Sequence, residues 1–337
     1  MKALPWDEVA TQLKKSQRVV LGTHASPDGD ALGSELGLGR FLKSLGKDVR
    51  VINTGGITRS LAWIPLPGEV EEYSSAVHDS VIAAADSIVV VDISNWERLG
   101  AMFKPVMASR AVRIDLDHHP VLSCPADLSI NDTTAAAVGE IVHTLVRRLE
   151  GTLTREMAVP LYVSLLTDTG SFKYSNTTIH THRLVGEFLS LGVKPYDVYT
   201  RVYEGAPVSR LRLLGEALGR MKVEPEAQLA WTSLSRGAYA ASGASEEDSE
   251  GIIDQLRSLA GIEVAVLFKE VEPGVVKVSM RSKAVADVNA VARQFGGGGH
   301  ARAAGMTIKA PLAEVEAKVL PVARKESGKG REAGQAR

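Results

Sequence analysis

The sequence predicts an α/β protein of two domains: a larger N-terminal one on a parallel sheet, and a smaller C-terminal α/β one across a cleft. Three observations carry this. The first half holds short Val- and Ile-rich runs that alternate with helically spaced segments, the pattern of βαβ units whose sheet is buried on both faces. A second group of strand-like runs follows a stretch punctuated by Pro195, Gly205 and Pro207. At 337 residues the chain also exceeds the usual size of one hydrophobic core.

Residues 6–16 read as a helix, and Arg18–Gly22 as an apolar strand that runs into the polar loop THASPDGD. Leu38, Phe41, Leu42 and Leu45 fall at helical spacing, with Gly46 as the stop. Then come DVRVIN (48–53), a long Gly- and Pro-containing stretch, and the runs SIVVVD (87–92), AVRIDLD (111–117) and DLSIND (127–132). AAVGEIVHTLVRRL is helical, MAVPLYVSLLTDTG is helical up to a polar loop, and 181–191 is helical again. These elements make up a first domain, 1–191, and 192–222 reads as a connector. QLAWTSL, IEVAVLFKE and VVKVSMRS are strands and 248–260 a helix in a second domain, 223–322. The last stretch, 323–337, has little apolar content and is expected to be a disordered tail. No internal repeat or heptad pattern is visible.

Lys and Arg number 39 against 40 Asp and Glu, for a formal charge of −1. That excludes a wholesale basic surface for long duplex DNA while leaving room for a local basic patch. The single cysteine, Cys124, excludes an internal disulfide framework and a Cys-rich zinc site. No apolar run reaches the roughly 18 residues of a transmembrane helix, and the opening MKALPWDEVATQLKKSQ lacks the apolar core of a signal peptide. A soluble, cytoplasmic protein with no membrane partner is expected.

The chemistry gathers at strand ends. The first strand leads into His24, Asp28 and Asp30, the 87–91 strand ends on Asp92, and the 111–116 strand ends on Asp117, His118 and His119. In an open parallel sheet all strand carboxyl ends lie on one edge, where ligand crevices form, so these three groups are expected to meet. Asp168, in the TDTG loop, is a candidate fourth member. Any one of these aspartates alone would read as a helix cap or turn former. Together with imidazoles in one crevice, the carboxylates call for cations. The oxygen and nitrogen donors, with no thiolate, suit Mn²⁺ or Mg²⁺, with Co²⁺ or Fe²⁺ as geometric alternatives. Their number suggests two ions, about 3.5–4 Å apart in such sites.

A second cluster is GGGGH at 296–300. Its glycines free the backbone for close approach to a ligand, and successive amides can cradle a phosphate; a flexible linker is the plainer alternative. Arg281 and Ser282 follow a strand nearby, and six Lys or Arg residues lie between Lys277 and Lys309 against one acid, Asp287. A substrate with phosphates at both ends would bridge this basic surface and the acidic cluster. Gly33, Gly37 and Gly39 suggest close helix–sheet packing. Trp63, Trp96 and Trp231 suit a core more than base stacking, and Lys173 or Tyr174 is a weak candidate for ligand contact.

These residues resemble a known family. HASPDGDALGS, the VVVD strand end, DHH at 117–119 and SLLTDTGSF are similar to the four metal motifs of the DHH phosphoesterase superfamily. VSMRSK…DVNAVARQFGGGGHARAAG resembles its DHHA1 domain, and the likeness spans residues 15–310 with the motifs in the expected order. Size and domain content most resemble the nanoRNase type, bifunctional oligoribonucleases and phosphatases of 3′-phosphoadenosine 5′-phosphate (pAp). The resemblance implies one ion on His24, Asp28 and Asp92, and a second on Asp30, Asp92, His118 and Asp168, with Asp92 bridging. It implies that His119 contacts the scissile phosphate and helps protonate the leaving oxygen, while Asp117 orients the two histidines. Arg281, Ser282, Gly298, Gly299 and His300 would hold the far phosphate or terminal nucleotide. The expected activity is Mn²⁺-dependent hydrolysis of short 5′-phosphorylated RNA and of pAp, with Mg²⁺ or Co²⁺ as alternative metals and a homodimer as an allowed assembly. The rival readings are a cyclic di-AMP or pApA phosphodiesterase and a non-catalytic nucleotide-binding regulator.

Overall fold

The computed structural model describes residues 4–120 and 124–329. The chain divides into two compact units with the boundary between Gly205 and Ala206.

In the N-terminal unit the strands are β1 (Arg18–Gly22), β2 (Asp48–Asn53), β3 (Val70–Glu72), β4 (Ser87–Val91), β5 (Val112–Asp117) and β6 (Leu128–Asn131). All pairs are parallel, in the order β3-β2-β1-β4-β5-β6. The helices are α1 (Trp6–Lys15), α2 (Gly29–Ser44), α3 (Ser75–Ala84), α4 (Phe103–Ala108), α5 (Val138–Arg148), α6 (Arg155–Asp168), α7 (Ile179–Ser190) and α8 (Pro195–Tyr203). Val19, Leu21, Val89 and Val91 face one core, shared with α2, α5 and α6, while Val20, Ile88 and Val90 face another, shared with α3, α4 and the 3₁₀ turn Trp96–Met102. Successive strand residues thus point to opposite covered faces, which explains the unbroken apolar runs.

Helix α2 lies so close to α6 that glycine is required. A Cβ at Gly33 would overlap the Pro160 carbonyl oxygen, and one at Gly37 would overlap the Leu161 side chain. The expectation of helix–sheet packing therefore holds only at Gly39, which sits over Leu21 and Val51.

The C-terminal unit carries β7 (Lys222–Glu224), β8 (Leu229–Leu234), β9 (Val264–Glu272), β10 (Val275–Ser282), β11 (Gly298–His300) and β12 (Ala303–Lys309). They form a mixed sheet in the order β11-β12-β10-β9-β8-β7, parallel only between β8 and β9. Helices α9 (Val208–Gly219), α10 (Arg236–Ser242) and α11 (Ile252–Arg257) cover one face over β8 and β9. Helices α12 (Val288–Arg293) and α13 (Leu312–Ser327) cover the other.

Two expectations about boundaries are corrected. Residues 192–222 are not a connector: most of them form α8 and α9, whose Val198 and Val202 join the first core and whose Leu213 and Ala217 join the second. The prolines that suggested a linker sit at helix starts, Pro195 as the first residue of α8 and Pro207 as the cap of α9, where a missing N–H costs nothing. Helix α13 also runs into the expected tail as far as Ser327, because Glu326 accepts Asp287 N–H at 3.0 Å and Ser327 donates to the Ala227 carbonyl at 2.6 Å. Residues 330–337 of that tail lie outside the described residues. Among the described residues no helix is long and apolar enough to cross a membrane.

Candidate metal centre

Strands β1 and β4 are neighbours where the strand order reverses, the point at which open parallel sheets bind ligands. His24 and Asp28 follow β1, Asp92 follows β4, and Asp117, His118 and His119 come at the end of β5. Asp92 turns out of the sheet with φ 54 while its N–H still pairs with the Leu116 carbonyl at 3.0 Å. Such left-handed backbone in a non-glycine residue is strained and concentrates at functional sites.

Asp28 both caps a helix and faces the site. One carboxylate oxygen accepts Asp30 and Ala31 N–H at 3.0 and 3.1 Å at the start of α2. Asp30 is buried and fastened from three helices: Ser34 and Ser164 donate at 3.0 and 2.6 Å, and Val138 N–H at 2.8 Å. Asp168 is the last residue of α6 rather than part of a loop. An apolar helix delivers it, and the negative end of the helix dipole makes a nearby cation more favourable still.

Three donor groups result, each with its ligand atoms within 4.8 Å of one another: His24, Asp28 and Asp92; Asp30, His118 and Asp168; and Asp92, His118 and His119. His118 Nε2 lies 3.7 Å from Asp30, 3.6 Å from Asp92 and 3.7 Å from Asp168. Its Nδ1 donates to the Ala135 carbonyl at 3.1 Å, which leaves Nε2 as the nitrogen that faces the carboxylates. Asp117 Oδ1 accepts the His119 ring at 2.7 Å and the backbone N–H groups of His118 and His119. Asp117 therefore orients the His119 ring alone. The expectation that it orients both histidines fails at His118, whose ring is held by Ala135.

Burial holds His24 down to about 4, with Arg98 and His119 adding to the effect, so its imidazole is neutral. Burial pushes Asp92 well above the carboxylate range, helped by repulsion from Asp30, Asp28, Asp168 and Asp117. Burial first and Asp30 second lift Asp168 to about 7. Among the described residues, buried His24 Nδ1 and Asp92 Oδ1 have no hydrogen-bond partner. Unpartnered donors, the neutral His24 imidazole and mutually repelling carboxylates fit divalent cations bound between them.

Residues 18–165 match the DHH family N-terminal domain, and residues 235–326 match the DHHA1 domain. The chain belongs to the DHH family. It is 34% identical over 309 residues to the bifunctional oligoribonuclease and PAP phosphatase NrnA of Thermus thermophilus, covering 91% of this chain and 90% of that one. The NrnA of Bacillus subtilis is 28% identical over 86% of this chain and 89% of its own length. An exopolyphosphatase-related protein from Bacteroides fragilis superposes with a TM-score of 0.91 at 30% identity, over 96% of this chain and 97% of the other. The Mn²⁺ complex of RecJ from Thermus thermophilus, at 17% identity and a TM-score of 0.58 over 96% of this chain and 55% of its own, shares the fold.

In the DHHA1 domain the last two glycines of the run, with His300, form an edge strand, β11, while Gly296 and Gly297 precede it. Val276, Val278 and Met280 of β10 point into the core with α12 and α13, so Arg281 lies on the opposite face. Arg281 pairs with Ala303, which pairs with His300, placing Arg281, His300 and Gly298 on one face. Ser282 does not join them: it is buried, with its hydroxyl donating to the Ala286 carbonyl at 2.7 Å, which corrects its expected ligand contact. Gly299 has φ 143 and packs against Ala303 and Ala304, so its role is to shape the strand.

Sequence reasoning did not single out Ser164 or Ala135 as partners of the candidate ligands. Ser164 precedes Asp168 by one helical turn, a spacing that could have revealed it. Nothing in an alanine marks its carbonyl as a partner for His118.

Proposed function

We propose that this DHH-family chain is a divalent-metal phosphoesterase that hydrolyses short 5′-phosphorylated oligoribonucleotides and dephosphorylates pAp, with Mn²⁺ as its working metal. The overlap of the donor groups at Asp92 and His118 carries this reading, and the likeness to NrnA proteins over most of both chains supports the substrate class. His24, Asp28 and Asp92 would hold one ion, and Asp30, Asp92, His118 and Asp168 the other. Such a pair supplies Lewis acidity at the reacting phosphate and lowers the pKa of water. His119, its Nδ1 fixed by Asp117, uses Nε2 to hand a proton to the leaving oxygen. Arg281, Gly298 and His300 hold the remote phosphate or terminal nucleotide. The near-neutral charge supports short substrates over long strands.

Metal-stripped protein, with and without Mn²⁺, tested against pAp, a 5′-phosphorylated diribonucleotide, a 24-mer RNA, cyclic di-AMP and pyrophosphate decides the matter. Fast Mn²⁺-dependent turnover of the first two, with the 24-mer scarcely cut, is the expected outcome. Preference for cyclic di-AMP would replace the substrate assignment, and silence across the panel would make the site a binding one.

A further inference from the structure

We propose that Arg98 is a further catalytic residue, whose guanidinium binds a non-bridging oxygen of the phosphate held at the His24, Asp28 and Asp92 donors. The inference rests on the phosphoesterase reading but stands on its own observations. The first is how firmly the backbone under Arg98 is fastened. The Arg98 carbonyl accepts Ala25 N–H at 2.8 Å, so Arg98 is pinned beside the residue that follows His24. Its own N–H reaches the Asn95 carbonyl at 3.0 Å, while the Asn95 side chain caps Glu97 N–H at 3.0 Å. Thr54 donates to the Leu99 carbonyl at 2.9 Å, and Trp96 Nε1 reaches Asp115 at 3.2 Å from below. The segment leaves Asp92 at φ 54 and ends at Gly100, φ 61, which rests against Thr54 and Ala25. Trp96, Leu99 and Met102 are buried around it.

The second observation is what this scaffold presents. Arg98 is exposed, and among the described residues nothing pairs with its guanidinium although carboxylates crowd the site. The third is charge balance. Two divalent cations bring no more charge than Asp28, Asp30, Asp92 and Asp168 cancel, so an arriving phosphate needs a cation from elsewhere. A planar guanidinium on a preorganised backbone suits that task because it can meet two phosphate oxygens at once.

The test compares wild type, Arg98→Ala and Arg98→Lys in three measurements. Mn²⁺ is titrated into metal-stripped protein, inorganic phosphate is titrated into Mn²⁺-saturated protein by calorimetry, and KM and kcat are measured for pAp. Arg98→Ala is expected to weaken phosphate binding and raise KM roughly tenfold to a hundredfold, as loss of a charge-assisted contact does. Mn²⁺ affinity and melting temperature should stay at wild-type values, and Arg98→Lys should recover part of the loss. Wild-type phosphate affinity in Arg98→Ala, no phosphate binding by wild type, or an equal loss of Mn²⁺ affinity would each overturn the proposal. Arg98-dependent phosphate binding without turnover of any nucleotide would leave it standing and overturn the phosphoesterase reading instead.

Discussion

Asp92 occupies a strained left-handed position at the end of β4 and belongs to two of the three donor groups. Asparagine tolerates that backbone but cannot supply the charge. Asp92→Asn should therefore fold, as its melting curve would show, yet lose about a thousandfold in turnover together with tight Mn²⁺ binding. Near-wild-type turnover would remove Asp92 from the metal site. Glu35 shows the same effect of burial outside the donor groups. It is fully buried in α2, with Asn53 donating to one oxygen at 2.9 Å and, among the described residues, no partner for the other, and burial lifts it to about 8. Because the folded state holds this proton more tightly than the unfolded chain, stability is greatest below the ordinary glutamate range and falls as pH rises from there to about 8. Glu35→Gln, which keeps the shape without the titration, should match wild type near pH 4 and melt on the order of 5 °C higher near pH 9. Equal melting temperatures at both pH values would show that Glu35 is not protonated alone in the fold.

At the scale of elements, the metal centre depends on how closely α2 approaches α6, since these helices deliver Asp30 and Asp168. Gly33 makes that approach possible against the Pro160 carbonyl. Gly33→Ala should cost about 1–3 kcal/mol by overpacking and weaken Mn²⁺ binding as well, because separating the helices parts the ligands. Urea melts and metal titration on the same variant would expose a failure of either half. The strand ends were legible in the sequence because parallel pairing forces β1, β4 and β5 to finish on one edge, whatever lies between them. The α2–α6 contact was not: glycines at helical spacing announce close packing but not the partner. Strand β3 escaped notice for another reason. A three-residue edge strand has too little periodicity to separate from its Pro- and Gly-containing surroundings.

At the scale of the whole molecule, each unit has its own core. Residues 1–205 expressed alone should fold and bind Mn²⁺ with near-wild-type affinity, while pAp turnover falls at least about a hundredfold without the Arg281 and His300 face. Calorimetry and a phosphate-release assay read the two effects separately, and full turnover by the first unit would take the DHHA1 domain out of substrate binding. The local order of residues was enough to determine the class of fold and the strand ends at which candidate metal donors gather, because these follow from periodicity and from the fixed direction of parallel strands. Only the tertiary structure decided that Asp168 comes from a helix end, that Ala135 turns His118 and that Ser282 faces inward. It also decided that Pro195 and Pro207 open helices rather than a linker. Each of these depends on which distant atoms meet a given backbone or side-chain group, and spacing along the chain carries no record of that.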